Sequence, residues 1–196
     1  DKDELAKLFS ALENETLKHK VWIMLTFSTG IRRGELFGIR WNDIDFEEKT
    51  LSIQRSISNV NHKVTAKETK TPSSTRVISL SDTIVTMLKE YRIEYEAHYQ
   101  QIVNTNIFEG VGRIEDEYIF ITHTGRVSHP DAFNSYLKAM TKRYGLMKIT
   151  PHTLRHCSAS YLIANNVDIQ TVAARLGHAS TAVTQTVYSH LLKSVE

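Results

Sequence analysis

The stretch TPHTLRHCSASYLIANNVDIQTVAARLGH, residues 150–178, decides how the second half of the chain is read. Thr150 is a good N-cap and Pro151 a favoured first helical residue, so the sequence predicts that a helix begins here. His152 and Arg155 then fall in its first turn, beside unpaired backbone N–H groups, which predicts an anion site suited to a phosphodiester. The structural alternative is that one histidine caps the helix and Arg155 pairs with a carboxylate.

In the rest of the sequence, the spacing of apolar residues predicts helical blocks around a small sheet. Helical spacing is predicted over residues 3–12, 15–29, 32–41 and 82–100, and from Pro130 to the end with breaks near Gly145, Asn165–Asn166 and Gly177. Strand-like runs predict one small antiparallel sheet over residues 44–80, a surface loop at 101–117 and a short strand in EYIFITHTG, residues 117–125. The predicted fold class is α+β, mainly α-helical.

Composition favours a single domain with an uneven charge distribution. The 196 residues include 24 bases and 22 acids, with bases in excess over residues 61–80 and 130–196 and acids in excess over 81–121. This predicts a basic face that suits a polyanion, with an ordinary mixed surface as the alternative. A single cysteine, Cys157, excludes an intramolecular disulfide and, with no long apolar run, predicts a cytoplasmic protein.

A second arginine lies at a helix junction in STGIRRGELFGIRW, residues 28–41. Gly30 ends one helix and the next begins at about Arg33, so the side chain of Arg32 can point into a cleft, with Glu35 orienting one of the arginines. Arg32 and Arg155 would then hold both non-bridging oxygens of one phosphate. The alternative is a solvated Arg32 paired with Glu35.

The third stretch is RLGHASTAVTQTVYSHLL, residues 175–192. Gly177 breaks the helix and places His178 at the start of the next segment. Tyr188 has apolar and polar neighbours, which suits a half-buried ring with its hydroxyl facing outward. Many tyrosines so placed are only packing residues, and that alternative stays open.

Taken in order, TGIRRGEL, PHTLRH, LGH and VYSHL resemble the motifs of the tyrosine recombinases, the phage integrase family. TGIRRGELFGIRWNDID and KTPSSTRVISL are especially similar to integrases of temperate phages and of conjugative transposons of Gram-positive bacteria. The resemblance covers essentially the whole chain. It implies that residues 1–196 form one catalytic domain, with the family's core-binding and arm-binding domains absent from this chain.

The resemblance also implies a catalytic set. Arg32 and Arg155 match the arginines that clamp the scissile phosphate, His152 the first histidine of the HxxR motif, and Tyr188 the nucleophile. His178 matches a position that is His or Trp among relatives, and His156 is expected to support the site. The hairpin lysine of the family is matched best by Lys70, with Lys67 as the fallback.

Family likeness further implies site-specific DNA cleavage and rejoining through a 3′-phosphotyrosine, for integration and excision of a mobile element. Neither cofactor nor metal is expected, since the sequence has no phosphate-binding glycine loop and no carboxylate cluster. The implied partners are double-stranded DNA, three further copies of the chain in a homotetrameric synapse and an excision accessory protein. The implied location is the bacterial cytoplasm, at the nucleoid.

Two other functions remain open on the sequence. DIQTVAARLGHASTAVTQTVYSHL, residues 168–191, has the pattern of a helix-turn-helix, which suits a non-enzymatic DNA-binding regulator. Such a regulator would need neither Arg32 nor Tyr188. A type IB topoisomerase-like enzyme would keep the chemistry but relax supercoils instead of exchanging two duplexes.

Overall fold

The computed structural model describes residues 2–60, 63–68, 75–107, 114–178, 180–182 and 184. The helices are α1 (Lys2–Leu12), α2 (Leu17–Thr29), α3 (Arg33–Gly38), α4 (Asp82–Asn104), α5 (Asp131–Arg143), α6 (Pro151–Ala164) and α7 (Ile169–Leu176). The strands are β1 (Ile44–Asp45), β2 (Thr50–Ile53), β3 (Arg55–Val60), β4 (Lys63–Glu68) and β5 (Arg76–Ser79). Short 3-10 turns cover Trp41–Asp43 and Ile114–Asp116. The mainly helical α+β class predicted from the sequence is confirmed.

The strands form two antiparallel sheets instead of the single sheet predicted over residues 44–80. One has the order β1-β2-β5, with Leu51 opposite both Ile44 and Ile78, and the other is the hairpin of β3 and β4. The polar connection between the two apolar runs is what folds into this hairpin. Its strands are mostly polar, so the pattern of apolar residues did not separate them from the neighbouring sheet.

The hairpin is separated from the three-stranded sheet because β3 packs against α3. Gly34 permits this approach: a Cβ atom there would lie only 2.6 Å from the carbonyl oxygen of Ile57. Ile57 is itself buried. The N-terminal end of α3, which begins at Arg33, is therefore fixed against a strand of the hairpin.

An aromatic cluster joins the helical blocks. The ring of Trp22 on α2 lies 5.0 Å from that of Phe37 on α3 and 5.6 Å from that of Phe133 on α5, and Phe120 lies 5.7 Å from Phe37. The two contacts of Trp22 are edge-to-face, and such contacts add stability beyond the apolar area that they bury. These contacts join α2, α3 and α5 to one another.

EYIFITHTG was predicted as a strand, and that prediction is wrong. The segment forms only isolated bridges, at Tyr118 and Ile121. Phe120 and its neighbour Ile119 are fully buried, so the apolar run reflects insertion into the aromatic core. A short apolar run cannot distinguish these two situations.

The loop predicted at residues 101–117 begins later than expected. α4 continues to Asn104 because Tyr95, Tyr99 and Ile102 extend its buried stripe. The chain breaks predicted near Gly145, Asn165–Asn166 and Gly177 are confirmed as the ends of α5, α6 and α7. Among the described residues, no helix combines the length and apolar character needed to cross a membrane.

Candidate functional site

The N-terminus of α6 is capped by a threonine side chain. Thr150 Oγ1 accepts a hydrogen bond of 3.0 Å from the backbone N–H of Thr153, so the alternative in which a histidine caps this helix is wrong. His152 is therefore available in the first turn, and it lines a cleft. The positive end of the helix dipole lies at the same place.

Arg155 is the fifth residue of α6 and projects from its second turn, not from the first turn as predicted, and it is 8% exposed. Its Nη1 donates to the carbonyl oxygen of Gly30 over 2.6 Å, and its Nη2 donates to that of Leu176 over 2.8 Å. Both acceptors are uncharged. These two bonds therefore fix the guanidinium without neutralising its positive charge.

Arg32 is the N-cap residue of α3 and is held differently. Its Nη1 donates to Oε1 of Glu35 over 2.8 Å, its backbone N–H donates to Oε2 of the same carboxylate, and its Nη2 donates to the carbonyl oxygen of Gly177 over 2.7 Å. The Arg32–Glu35 pair expected from the sequence is present. Because Arg32 also lines the cleft beside Arg155, the pair orients the guanidinium there.

Three consecutive carbonyl groups at the C-terminal end of α7 each accept a hydrogen bond from a different arginine. We call the carbonyls of Arg175, Leu176 and Gly177 the carbonyl triplet. Arg76 Nε donates to the first over 2.8 Å, Arg155 to the second and Arg32 to the third. The last carbonyls of a helix lack helical partners and carry partial negative charge, so cations are favoured here.

Gly177 makes this crowding possible. Its φ is +66°, a conformation that glycine adopts without strain. A Cβ atom at this position would lie 2.7 Å from Arg76 Nη1 and 3.3 Å from Arg32 Nη1. The two guanidinium groups lie against the space that any other side chain would fill.

His178 follows the carbonyl triplet directly. Its Nδ1 lies 2.7 Å from Oγ1 of the fully buried Thr184. Burial lowers the pKa of His178 to about 4, and the positive charges of Arg155, Arg32 and Arg76 act in the same direction. At neutral pH the imidazole is uncharged, so it acts in the cleft as a hydrogen-bonding group.

His152 contacts His156 one turn further along α6. Their Nε2 atoms lie 2.7 Å apart, so one nitrogen donates and the other accepts, and the pair shares one proton at that contact. Burial lowers the pKa of His156, as do the charges of His152 and Arg155. The supporting position expected for His156 is thus a direct contact with His152.

The cleft has a volume of about 980 Å³ and brings together four of the six predicted residues: Arg32, His152, Arg155 and His178. Lys70 and Tyr188 lie outside the described residues. Lys67, the fallback lysine, is exposed on β4. The chemistry of the lining suits a group that is anionic and rich in oxygen.

Sequence reasoning missed several cations of the site. Arg33, Lys138 and Lys148 also line the cleft, and only the excess of bases after residue 130 pointed towards the two lysines. Arg76 was counted as a charge, but its position at the start of β5 gave no sign of its partners. Within the described parts of the chain, no group of three His, Cys, Asp or Glu side chains is arranged to hold a metal ion.

Two anchored guanidinium groups and two imidazoles line one cationic cleft, and guanidinium groups are well suited to bind the oxygens of a phosphate ester. The chain belongs to the phage integrase family, whose family model matches residues 1–194. It is 30% identical over 199 residues to a XerC-like tyrosine recombinase of Caldanaerobacter subterraneus, covering 97% of this chain and 49% of that protein. It is 28% identical to the ICEBs1 integrase of Bacillus subtilis, covering 96% of this chain and 49% of that protein. The chain thus spans about half the length of these curated relatives.

Solved structures show the same fold. The Tn1549 transposon integrase in complex with transposon right end DNA matches with a TM-score of 0.75 and 19% identity, over 95% of this chain and 59% of that one. The XerA recombinase matches with a TM-score of 0.71 and 22% identity, over 100% of this chain and 62% of that one. The fold is therefore that of the catalytic part of these recombinases, as the resemblance predicted.

Proposed function

We propose that this chain is the catalytic domain of a site-specific DNA recombinase that integrates and excises a mobile element. The observation that carries the proposal is the convergence of Arg32 and Arg155 on neighbouring carbonyls of the carbonyl triplet, beside His152 and His178 in one cleft. Family membership supplies the class of reaction. In this proposal the scissile phosphate binds between the two guanidinium groups, both of which line the cleft.

In the proposed reaction the phenol oxygen of Tyr188 attacks phosphorus in line. A bond forms between that oxygen and phosphorus while the bond from phosphorus to the 5′-oxygen breaks, leaving a 3′-phosphotyrosine and a free 5′-hydroxyl. His152 takes the phenol proton, and Lys70, or Lys67 in its place, donates a proton to the departing oxygen. Rejoining reverses each step, so the energy of the phosphodiester is retained.

Charge at the pentacoordinate phosphorus would be stabilised by the cleft. Arg32 and Arg155 each present a charged donor already oriented by the protein, so little reorganisation is needed as charge develops. His178 is neutral at working pH and would contribute a hydrogen bond. The phosphodiester monoanion, and more strongly the doubly charged phosphorane, would raise the pKa of His178 towards its ordinary value, which strengthens that bond as the reaction proceeds.

The proposed partners are two DNA duplexes, the element ends and the target site, held by four copies of the protein in a synapse. An accessory protein that directs excision is part of the same proposal, as is a location in the bacterial cytoplasm at the nucleoid. The wider protein would bring further DNA-clamping domains, as the relatives are about twice as long as the matched region.

The residues of the cleft also bear on the two other functions, the DNA-binding regulator and the topoisomerase-like enzyme. A helix-turn-helix regulator gives no reason for Arg32 and Arg155 to share the carbonyl triplet. A type IB topoisomerase-like enzyme would use the same site, so only the products separate it from a recombinase. Exchange of strands between two duplexes supports recombination, and relaxation of a supercoiled plasmid without exchange supports the topoisomerase.

The test is covalent capture of DNA. A nicked suicide duplex carrying the element's end is incubated with the chain, alone and joined to any further segments of its protein, and resolved on a denaturing gel. We expect an upward shift of the protein by the mass of the DNA strand, lost in Tyr188→Phe and unaffected by chelator. Attachment should also weaken with salt, since phosphate contacts release counterions.

Each outcome has a distinct meaning. Binding without attachment in every form of the protein would overturn the recombinase and favour the regulator. Attachment that survives Tyr188→Phe would place the nucleophile elsewhere. A strict requirement for a divalent metal would overturn the metal-independent reaction.

A further inference from the structure

Arg76, at the start of β5, is buried and bonded to a carboxylate that belongs to the site. Its side chain is 8% exposed and that of Glu35 is 4% exposed. Nη2 donates to Glu35 Oε2 over 2.8 Å and Nη1 donates to Oε1 over 3.2 Å, so the guanidinium binds both carboxylate oxygens. A planar fork on a carboxylate fixes direction as well as distance.

The same carboxylate orients Arg32. Glu35 Oε1 accepts from Arg32 Nη1, and Oε2 accepts from the Arg32 backbone N–H. Burial alone would raise the pKa of Glu35, but hydrogen bonding and charge from Arg76, with a smaller contribution from Arg32, lower it. Glu35 is therefore ionised between two guanidinium groups, and its position depends on both.

Arg76 also acts on the other anchor of Arg32. It donates to the carbonyl of Arg175, two residues before the carbonyl of Gly177 that accepts from Arg32. One buried side chain thus holds both the carboxylate and the helix end that orient Arg32. These contacts tie β5, which follows the β3–β4 hairpin, to α3 and α7.

We propose that Arg76 is a positioning residue that sets the direction of the Arg32 guanidinium in the cleft, through Glu35 and the carbonyl triplet. This inference rests on the proposed function and adds to it a residue outside the six predicted ones. Arg76 acts through Arg32 and touches neither phosphate nor nucleophile in the proposed reaction. Its removal should therefore matter only while Arg32 is present.

The chain offers a matched control. Asp43 accepts from the backbone N–H of Arg40 over 2.7 Å and from Arg55 Nη1 over 2.5 Å, and both side chains of the Arg55–Asp43 pair are largely buried. This repeats the arrangement around Glu35, but Arg40, Asp43 and Arg55 are not among the residues that line the cleft. Arg55→Met therefore removes a comparable ion pair without touching the carbonyl triplet.

The experiment is a double-mutant cycle on the rate of covalent capture at saturating suicide duplex. Arg76→Met, Arg32→Met, the double variant and Arg55→Met are compared, with thermal melting of each. We expect Arg76→Met to slow capture by about 100-fold, as a misplaced catalytic group does, with little change in the DNA concentration for half-maximal rate. The double variant should be no slower than Arg32→Met alone, because coupled residues are not additive.

Independent losses that multiply in the double variant would overturn the inference, as would Arg55→Met slowing capture as much as Arg76→Met. Arg76→Lys, which keeps the charge but loses the fork, provides a second variant if Arg76→Met does not fold, and we expect it to be slowed as well. Full activity of Arg76→Lys would overturn the role of the fork.

Failure of the proposed function gives a different pattern. If the wild-type protein never attaches to DNA, the recombinase is overturned and the positioning of Arg32 is tested with inorganic phosphate, monitored through the His178 ring signals in NMR spectra. Weaker phosphate binding in Arg76→Met than in Arg55→Met supports the inference. Equal binding by these two variants overturns it.

Discussion

The two arginines of the cleft are held in opposite ways. Arg155 is 8% exposed and is fixed by two main-chain carbonyls, of Gly30 and Leu176. The side chain of Arg32 is 44% exposed and is fixed by the carboxylate of Glu35 and one carbonyl. Backbone acceptors persist through any side-chain substitution, whereas a carboxylate can be removed or protonated. The orientation of Arg155 is therefore fixed by the main chain, whereas the orientation of Arg32 depends on the side chain of Glu35.

Arg155→Lys should give the largest effect, because an ammonium cannot reach two carbonyls and a phosphate in the same fixed plane. We expect covalent capture to slow by about 1000-fold, the upper range for loss of one charge-stabilising donor. The carbonyls of Gly30 and Leu176 lose their donors, which should lower the free energy of unfolding by about 1–3 kcal/mol. Capture kinetics and urea denaturation measure the two effects. If Arg155→Lys captured DNA at the normal rate, the way in which Arg155 is anchored would not matter for capture.

Glu35→Gln should act on the Arg32 side alone. Loss of the carboxylate between two guanidinium groups should lower the free energy of unfolding by about 3 kcal/mol and slow capture by about 100-fold. Asp43→Asn is the control, because it removes the corresponding carboxylate from Arg55 and should destabilise the fold without slowing capture. Equal slowing in both variants would show that stability alone determines the rate.

The smallest expected effect is a change in the pKa of His178 when either arginine is replaced. The pKa of its ring is about 4, lowered first by burial, then by Arg155 and then by Arg32. We expect Arg155→Met to raise this pKa more than Arg32→Met does, as measured by NMR of the ring protons. The reverse order would mean that the exposed arginine dominates the field in the cleft.

The lowered pKa of His178 also makes the free energy of unfolding depend on pH. The unfolded histidine, with its ordinary pKa of 6.5, binds a proton at a higher pH than the folded one, so the free energy of unfolding falls as pH falls from about 6.5 towards 4. This loss should be smaller in His178→Asn. Urea denaturation at a series of pH values measures it.

Local signals explain what the sequence could predict. Thr150 and Pro151 mark the start of α6 within the chain itself, and Gly30 marks the end of α2, so the positions of Arg155 and Arg32 at helix termini followed from a few neighbouring residues. The motifs then placed four residues of the cleft, which the structure brings together. Tyr188 and Lys70 remain predictions.

Long-range pairing was beyond the sequence. The bond from Arg76 to Glu35 spans 41 positions and that from Arg32 to Gly177 spans 145, and a residue type does not indicate so distant a partner. In TRVISL, residues 75–80, the sequence shows Arg76 before an apolar run and does not indicate its partners. The same limit explains EYIFITHTG, because a buried apolar segment acquires ladder partners only through the tertiary arrangement.

The carbonyl triplet lies immediately before His178, where the chain leaves α7 towards Tyr188. The end of α7 is bound by the guanidinium groups of Arg32 and Arg155, and a phosphate bound in the cleft as proposed would contact the same two groups. Suppose that docking of the segment after His178 changes the affinity of the cleft for phosphate by some factor. By thermodynamic linkage, phosphate binding then changes the equilibrium constant for docking of that segment by the same factor. In the proposed reaction, DNA binding in the cleft and the positioning of Tyr188 would then be coupled by the same free energy.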